Sequence, residues 1–429
     1  MIIRKTEKLI QTQKKKGEFI YPYYEKYCFS NIPDTVLSLF NIKTKRPILP
    51  RELYKNVGKF KKIILLLIDG FGYEQWIKYY KDYEFFDRIT KKGSLSPLTS
   101  IFPSTTAAAI TTVNTGLTPQ EHALPEWYIY FKEVDMILAS LPFKPLDEKF
   151  QDKFSKMKAN SRILFKGKTI YQKLKKEGIK SFSFCDGTYA KSDYSNMIFK
   201  GSSVIPFINS SDMVVKLRKS VEKESGPAYF FAYFGDLDSM EHEYGPHTEE
   251  YYAELSTLSH LLKKELLEKI DKKTANETLI IITADHGQLN ILPKKTTYLN
   301  KYTKVVKNFD RSKKGNLILP TGGPRDIFLH IKPNKVDETF EYLSKKLRKK
   351  AKIMKISDAV EMGMFGIGKP RKEFYDRVGN LLILPNKNGT IWYEHVKGKK
   401  VKFLGHHGGL TKEEMLIPFA IAKLSNLMT

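Results

Sequence analysis

The sequence predicts an α/β fold: a mostly parallel central sheet with helices on both faces and a small inserted lid or cap. Three observations carry this. Residues 61–70 read KKIILLLIDG, an apolar run bounded by charges and ended by Asp-Gly. Residues 227–238 (PAYFFAYFGDLD) and 277–285 (ETLIIITAD) repeat that shape, each closing on an acidic residue. Between these two, Tyr251, Leu255, Leu258, Leu261, Leu262, Leu266 and Ile270 recur at helical spacing with charges between them, the stripe of a long amphipathic helix.

A continuous apolar run of this length fits a strand covered on both faces, as in a parallel sheet. Strand, helix, strand in that order implies a right-handed crossover. In open sheets of this kind, ligand-binding groups collect beyond the carboxyl ends of the strands. Three strands ending in Asp therefore aim three carboxylates at one edge. Upstream, residues 1–54 are polar, Lys-rich at the start, and close on Arg46-Pro47-Ile48-Leu49-Pro50. They read as an N-terminal extension with a short helix or two, leaving residues 55–429 as the main domain. Residues 325–332 and 380–385 read as strands, 336–350 as a helix and 415–423 as a closing strand. The less regular stretch within about 290–400 is where a lid is expected, and no repeat of fixed period is present.

Bulk composition limits the function classes. A hydrophobic content of 41% and an aromatic content of 13% support a packed interior and exclude an intrinsically disordered chain. The longest apolar run, Ile63 to Ile68, is far short of the roughly 20 residues that span a bilayer. The first residues lack the apolar core of a secretory signal, and Cys28 and Cys185 are the only cysteines. A cytoplasmic protein without a membrane span or a Cys-rich metal site is the expectation. The net charge of +26 has two readings: attraction for polyanions, nucleic acid included, or a Lys-rich composition spread over solvated faces. Runs such as Lys14-Lys15-Lys16 and Lys397-Gly398-Lys399-Lys400 are local, and no nucleic-acid motif accompanies them, so the second reading is favoured.

A paired divalent-metal site needs about six Asp and His ligands, most of them on rigid elements. Asp69 closes the first strand, and Asp285 and His286 close a later one. Asp238 and His242 are four apart, so one helical turn places both on a single face. His407 lies in the segment Gly405-His406-His407-Gly408-Gly409, where little side-chain bulk obstructs a metal. Singly, each of these is more often a turn or a structural pair; their joint occurrence at strand ends is the signal. The remaining segment is LTSIFPSTTAAAITTVNTGLTPQEH (98–122). Its Ser/Thr cluster before Ala107 reads as a hydroxyl-capped helix start, or as a nucleophile facing the metals at a helix end that also favours phosphate.

The ordered set IDGFG, FPSTTAAAITTVNTGLTPQEH, GDLDSMEHEYGPHT, ITADHG and GHHGGL resembles the alkaline phosphatase superfamily, specifically its type I phosphodiesterase/nucleotide pyrophosphatase branch. The resemblance runs from about residue 61 to the C-terminus and makes residues 55–429 an alkaline phosphatase-like catalytic domain. It implies a hydrolase that cleaves phosphodiester or pyrophosphate bonds of a small phosphorylated, nucleotide-like substrate. The family's nucleophile lies nine residues before the Thr of its TGL segment, here Thr115, which selects Thr106. Asp238, His242 and His407 resemble the ligands of one metal, and Asp69, Asp285 and His286 those of the other; two zinc ions are implied.

One departure stands out. Relatives of this type place an Asn twelve residues after the TGL Thr, where it helps bind a phosphoryl oxygen; here that position is Trp127. Trp127, with Tyr128, either stacks on a planar part of the substrate or is a core aromatic, and the core reading weighs more. Arg325 reads as a surface or strand-end ion-pair partner ahead of a phosphate contact, and His122 and His406 as structural or supporting. A phosphomonoesterase or a phosphonate-cleaving enzyme would share the site and differ in the pocket. Thr in place of Cys or Ser argues against a sulfatase, and a nucleic-acid-binding protein without activity is the non-enzymatic alternative.

Overall fold

The computed structural model describes residues 1–157 and 160–428. Its centre is a seven-stranded sheet in the order Ser94–Thr99, Leu416–Lys423, Thr278–Thr283, Lys62–Ile68, Ala228–Phe234, Lys180–Asp186, Ser203–Phe207. Only Leu416–Lys423 runs against its neighbours; every other pairing between adjacent strands is parallel. All residues of Lys62–Ile68 and Thr278–Thr283 are buried. Even Lys62 is covered, and its ammonium donates to the Val221 carbonyl at 2.9 Å. Strands with no solvated face must be apolar throughout, which is why these read so plainly in the sequence.

Register decides what the strand ends can do. Ala228 pairs with Lys62 and Phe234 with Ile68, while Thr278 pairs with Lys62 and Thr283 with Leu67. The three central strands thus finish at one level, and the residues that follow them emerge side by side. The helix Glu249–Leu261, extended by a wider turn over Leu262–Leu267, buries Tyr251, Leu255, Leu258, Leu262 and Leu266, as the spacing predicts.

Three strands of the main sheet lack a comparable sequence signal. Ser94–Thr99 carries Pro97 and two serines. Lys180–Asp186 alternates Ser and Phe beside a Cys, and Ser203–Phe207 is a short, exposed edge with Pro206. Such strands are recognised by their neighbours more than by their own residues.

Residues 1–54 form the helix Arg4–Lys14 and a chain that lies along the sheet, with bridges from Ile2 to Leu95 and Cys28 to Thr99. Phe19, Ile20, Tyr24, Phe29 and Ile32 lie in the main core. A second sheet, ordered Thr321–Gly323, Asp326–Leu329, Leu381–Pro385, Ala351–Lys355, is antiparallel throughout. Its alternate residues separate cleanly. Phe328, Met354, Leu382 and Leu384 join the main core, whereas Ile327, Ile353, Leu381 and Ile383 build a smaller core that also takes Leu343 and Leu347 from the helix Val336–Leu347. The period of two along a strand fixes this division and anchors the second sheet to the first.

Candidate metal centre and active site

Thr106 opens the helix Thr106–Thr115, whose other nine residues, Ala107 to Thr115, are all buried. Small side chains let this helix sink into the protein while its first residue stays at the surface of a cleft. Thr105 occupies the N-cap position with extended backbone, but its side chain makes no cap hydrogen bond. The hydroxyl cap expected from the Ser/Thr cluster is therefore absent; Thr105 instead hydrogen-bonds the Glu126 carboxyl. Thr106 Oγ1 lies 3.2 Å from His286 Nε2 and 3.3–3.4 Å from the two Asp69 oxygens.

Asp69, Asp285 and His286 form one compact group, with ligating atoms all within 4.8 Å of one another. His286 Nε2 is 3.3 Å from Asp69 Oδ1 and 3.4 Å from Asp285 Oδ2. Asp285 Oδ1 accepts from the backbone of Gly70 and His286, whereas its Oδ2 receives no hydrogen bond. The Tyr233 hydroxyl donates to Asp69. Burial pushes the Asp69 carboxyl well up, reinforced by Asp285 and Asp238, and burial lifts Asp285 to about 7. Burial likewise drives the His286 imidazole well below its ordinary value. Two carboxylates and a neutral imidazole converging in a dry pocket fit the donor set of a cation, whose charge would return the carboxyls to their ionised form and keep the imidazole unprotonated.

Asp238 and His242 project from the helix Asp236–Tyr244, with His242 Nε2 3.4 Å from Asp238 Oδ2. His407 Nε2 lies 3.2 Å from His242 Nε2 and 3.9 Å from Asp238 Oδ1. The Nδ1 atoms of these two imidazoles sit against carbonyls, Gly405 for His242 at 3.0 Å and Ser104 for His407 at 2.9 Å. A carbonyl only accepts, so each Nδ1 carries a proton, and in the neutral ring Nε2 is then the atom with the free lone pair. Two such nitrogens facing each other at 3.2 Å suit a shared cation between them. Both groups thus fit a divalent ion. Asp238, His286 and His407 also converge, so the two groups adjoin. Gly405 is required by close approach: a Cβ there would lie 2.2 Å from the Glu241 carbonyl oxygen.

All six sequence-derived ligand positions and Thr106 thus come together. Trp127 is 37% exposed and lines the neighbouring cleft of about 640 Å³, so it is no core aromatic, contrary to the favoured reading. Tyr128, Trp392 and Phe403 line the same cleft, with Lys400 and Lys402 at its rim. The basic run read as local surface charge therefore reaches the site, and nothing in its sequence signals this. Glu126, buried and raised to about 7 chiefly by burial, was missed for the same reason. His406 accepts from the His407 backbone at 3.3 Å and stays beside His242. His122 is buried, 3.2 Å from Thr112 Oγ1. Arg325 makes a wholly buried ion pair with Glu414.

A doubly wound sheet with paired Asp/His groups and a hydroxyl at its carboxyl edge defines an α/β protein of the alkaline phosphatase class. The chain belongs to the type I phosphodiesterase / nucleotide pyrophosphatase family, whose model matches residues 63–410. Ectonucleotide pyrophosphatase/phosphodiesterase family member 1 of Homo sapiens is 25% identical over 57% of this chain and 25% of its own length. The venom phosphodiesterase CdcPDE of Crotalus durissus collilineatus is 23% identical over 85% of this chain and 43% of its own. The chain thus spans less than half the length of these curated relatives. Among solved structures, murine ectonucleotide pyrophosphatase / phosphodiesterase 5 aligns with a TM-score of 0.62 at 18% identity, covering 84% of this chain and 87% of that one. Phosphonoacetate hydrolase from Sinorhizobium meliloti 1021 aligns at 0.60 with 15% identity, covering 87% and 95%. Among the described residues no helix is long and apolar enough to cross a membrane.

Proposed function

We propose that this protein is a metal-dependent hydrolase of phosphodiester or pyrophosphate bonds, with Thr106 as its nucleophile. The observation that carries this reading is the position of Thr106 Oγ1, within 3.2–3.4 Å of both His286 and Asp69 and at the N-terminal end of a buried helix. Asp69, Asp285 and His286 would hold one divalent cation and Asp238, His242 and His407 a second; mixed Asp/His ligands suit zinc. Such a pair supplies Lewis-acid charge that activates the hydroxyl and offsets charge on the phosphoryl oxygens.

The chain's own residues do the rest. Thr106 Oγ1 attacks phosphorus in line, the Oγ1–P bond forms as the bond to the leaving oxygen breaks, and a phosphorylated or nucleotidylated Thr106 results. Water then attacks the same phosphorus and releases the threonine. The phosphoryl group would meet the N-terminal end of the helix Thr106–Thr115, where unpaired backbone N–H groups favour an anion. Trp127, Tyr128, Trp392 and Phe403 offer aromatic walls for a planar group, and Lys400 and Lys402 offer charge for a second anionic group, which favours a nucleotide-like substrate.

The test is hydrolysis of bis-p-nitrophenyl phosphate against p-nitrophenyl phosphate, with and without chelator and added zinc. Chelator-sensitive diester cleavage exceeding monoester cleavage supports the proposal. Preference for the monoester would keep the site and move the activity to a phosphatase. Absence of cleavage of both would remove the reading for general phosphoesters and turn the search to phosphonates.

A further inference from the structure

A second pair of acids adjoins the cleft. Glu126 is 4% exposed and Asp326 fully buried, the two come from segments 200 residues apart, and Glu126 faces the cleft beside Thr105 and Thr106. Their oxygens converge next to Gly323, where a Cβ would meet Asp326 Oδ1 at 3.0 Å and Glu126 Oε1 at 3.3 Å. The carboxyls are in hydrogen-bonding contact with each other. As carboxylates neither can donate to the other, and with only the Gly323 backbone N–H close by the Asp326 oxygens lack the partners a buried anion needs. Among the described residues neither acid has an ion-pair partner. Arg325, the neighbouring guanidinium, is held bidentately by Glu414, and Glu414 itself adds negative charge beside Asp326. The other groups facing Glu126 are the Thr105 hydroxyl, the Trp127 and Tyr128 backbone N–H groups and the Tyr128 phenol.

We propose that Asp326 and Glu126 form a relay in which Asp326 keeps a proton and donates it in a hydrogen bond to Glu126, while the protonated Glu126 carboxyl presents its own O–H to a non-bridging phosphoryl oxygen of the substrate. This deepens, and rests on, the hydrolase reading. The relay supplies a neutral donor next to Trp127, where the amide expected from the family pattern is missing. An ionised Glu126 would repel the phosphoryl group; a protonated one binds it and strengthens its hold as charge develops. Glu126 is the catalytic residue of the pair and Asp326 positions it. Burial carries Asp326 well above the ordinary carboxylate range, with Glu126 and Glu414 adding to it, and Glu126 to about 7. The O–H is therefore present below about pH 7 and lost above it.

The experiment measures kcat/KM for bis-p-nitrophenyl phosphate from pH 5 to 9 in the metal-loaded wild type and in Glu126→Ala, Glu126→Gln and Asp326→Ala. Loss of one such donor lowers the rate by about 10²-fold, the expected effect of Glu126→Ala. Glu126→Gln keeps an N–H donor, recovers most of that loss and loses the wild type's decline above neutrality. Asp326→Ala withdraws the hydrogen bond that stabilises the Glu126 anion, so its decline moves to higher pH. Infrared difference spectra supply a readout free of turnover: a protonated-carboxyl band titrating near neutrality in the wild type and absent in Glu126→Gln. If the band is present and no diester is cleaved, the hydrolase reading fails while the shared proton stands. A missing band, a Glu126→Gln variant as impaired as Glu126→Ala, or a third divalent equivalent lost from Glu126→Gln overturns the relay.

Discussion

The imidazole of His286 stacks face to face on that of His407, with ring centroids 3.5 Å apart and planes 11° from parallel. His286 follows a central strand and His407 comes from a glycine-flanked turn near the C-terminal strand. The stack joins the two ligand groups into one centre. Both rings are buried, and burial holds both well below the ordinary histidine range, so both stay neutral and able to bind a cation.

Replacing His407 by Ala removes the Nε2 proposed to hold a metal and one face of that stack. Elemental analysis of the purified variant is expected to show reduced divalent metal. Wild-type metal content in this variant would assign the ligand elsewhere, with the adjacent His406 as the first candidate.

Thr106→Ala is expected to fold and bind metal as the wild type does, because Thr106 is the one residue of its helix that is not buried. Loss of the proposed nucleophile should lower diester hydrolysis by at least about 10³-fold. Steady-state rates with matched metal content decide it; wild-type activity would end the nucleophile assignment.

Arg325 and Glu414 are both fully buried and joined by two hydrogen bonds of 2.9 Å. Removing one partner of such a pair strands a charge, so Arg325→Leu should cost about 3–5 kcal/mol. Urea unfolding midpoints measure this. The double variant Arg325→Leu/Glu414→Leu should regain part of the loss; equal destabilisation of single and double variants would mean the packing, and not the stranded charge, dominates.

His122 supplies a pH dependence. Its Nδ1 accepts from the Leu124 backbone at 3.0 Å, and burial, with Arg377 adding repulsion, lowers its pKa to about 3. A folded-state pKa below the unfolded one means the unfolded chain takes up the proton first. The contribution is full above about pH 6.5 and is lost as pH falls toward about 3, amounting to on the order of 5 kcal/mol at most. Urea midpoints taken down this range should fall less steeply in His122→Asn than in the wild type. An unchanged slope would place the acid sensitivity in other groups.

Much of this site was legible because its parts are local. KKIILLLIDG and ETLIIITAD announce buried strands and the acids that end them, and the four-residue spacing of Asp238 and His242 survives as one helical face. The nucleophile and ligand choices leaned further on family resemblance, since a Thr at a helix start says nothing by itself about what faces it. Trp127 was the misjudged residue: an aromatic beside a strand reads as core, and only its neighbours could show it standing in a cleft.

The sequence by itself determined the parallel α/β plan and the acidic strand ends, because hydrophobic periodicity and chain order are local properties that any copy of this chain carries. Tertiary structure alone decided that Glu126 meets Asp326, that His286 lies on His407, that Arg325 is neutralised by Glu414 in the interior and that Lys400 reaches the cleft. Each of these joins residues far apart in the chain, and the burial that shifts their protonation exists only once the sheets have packed.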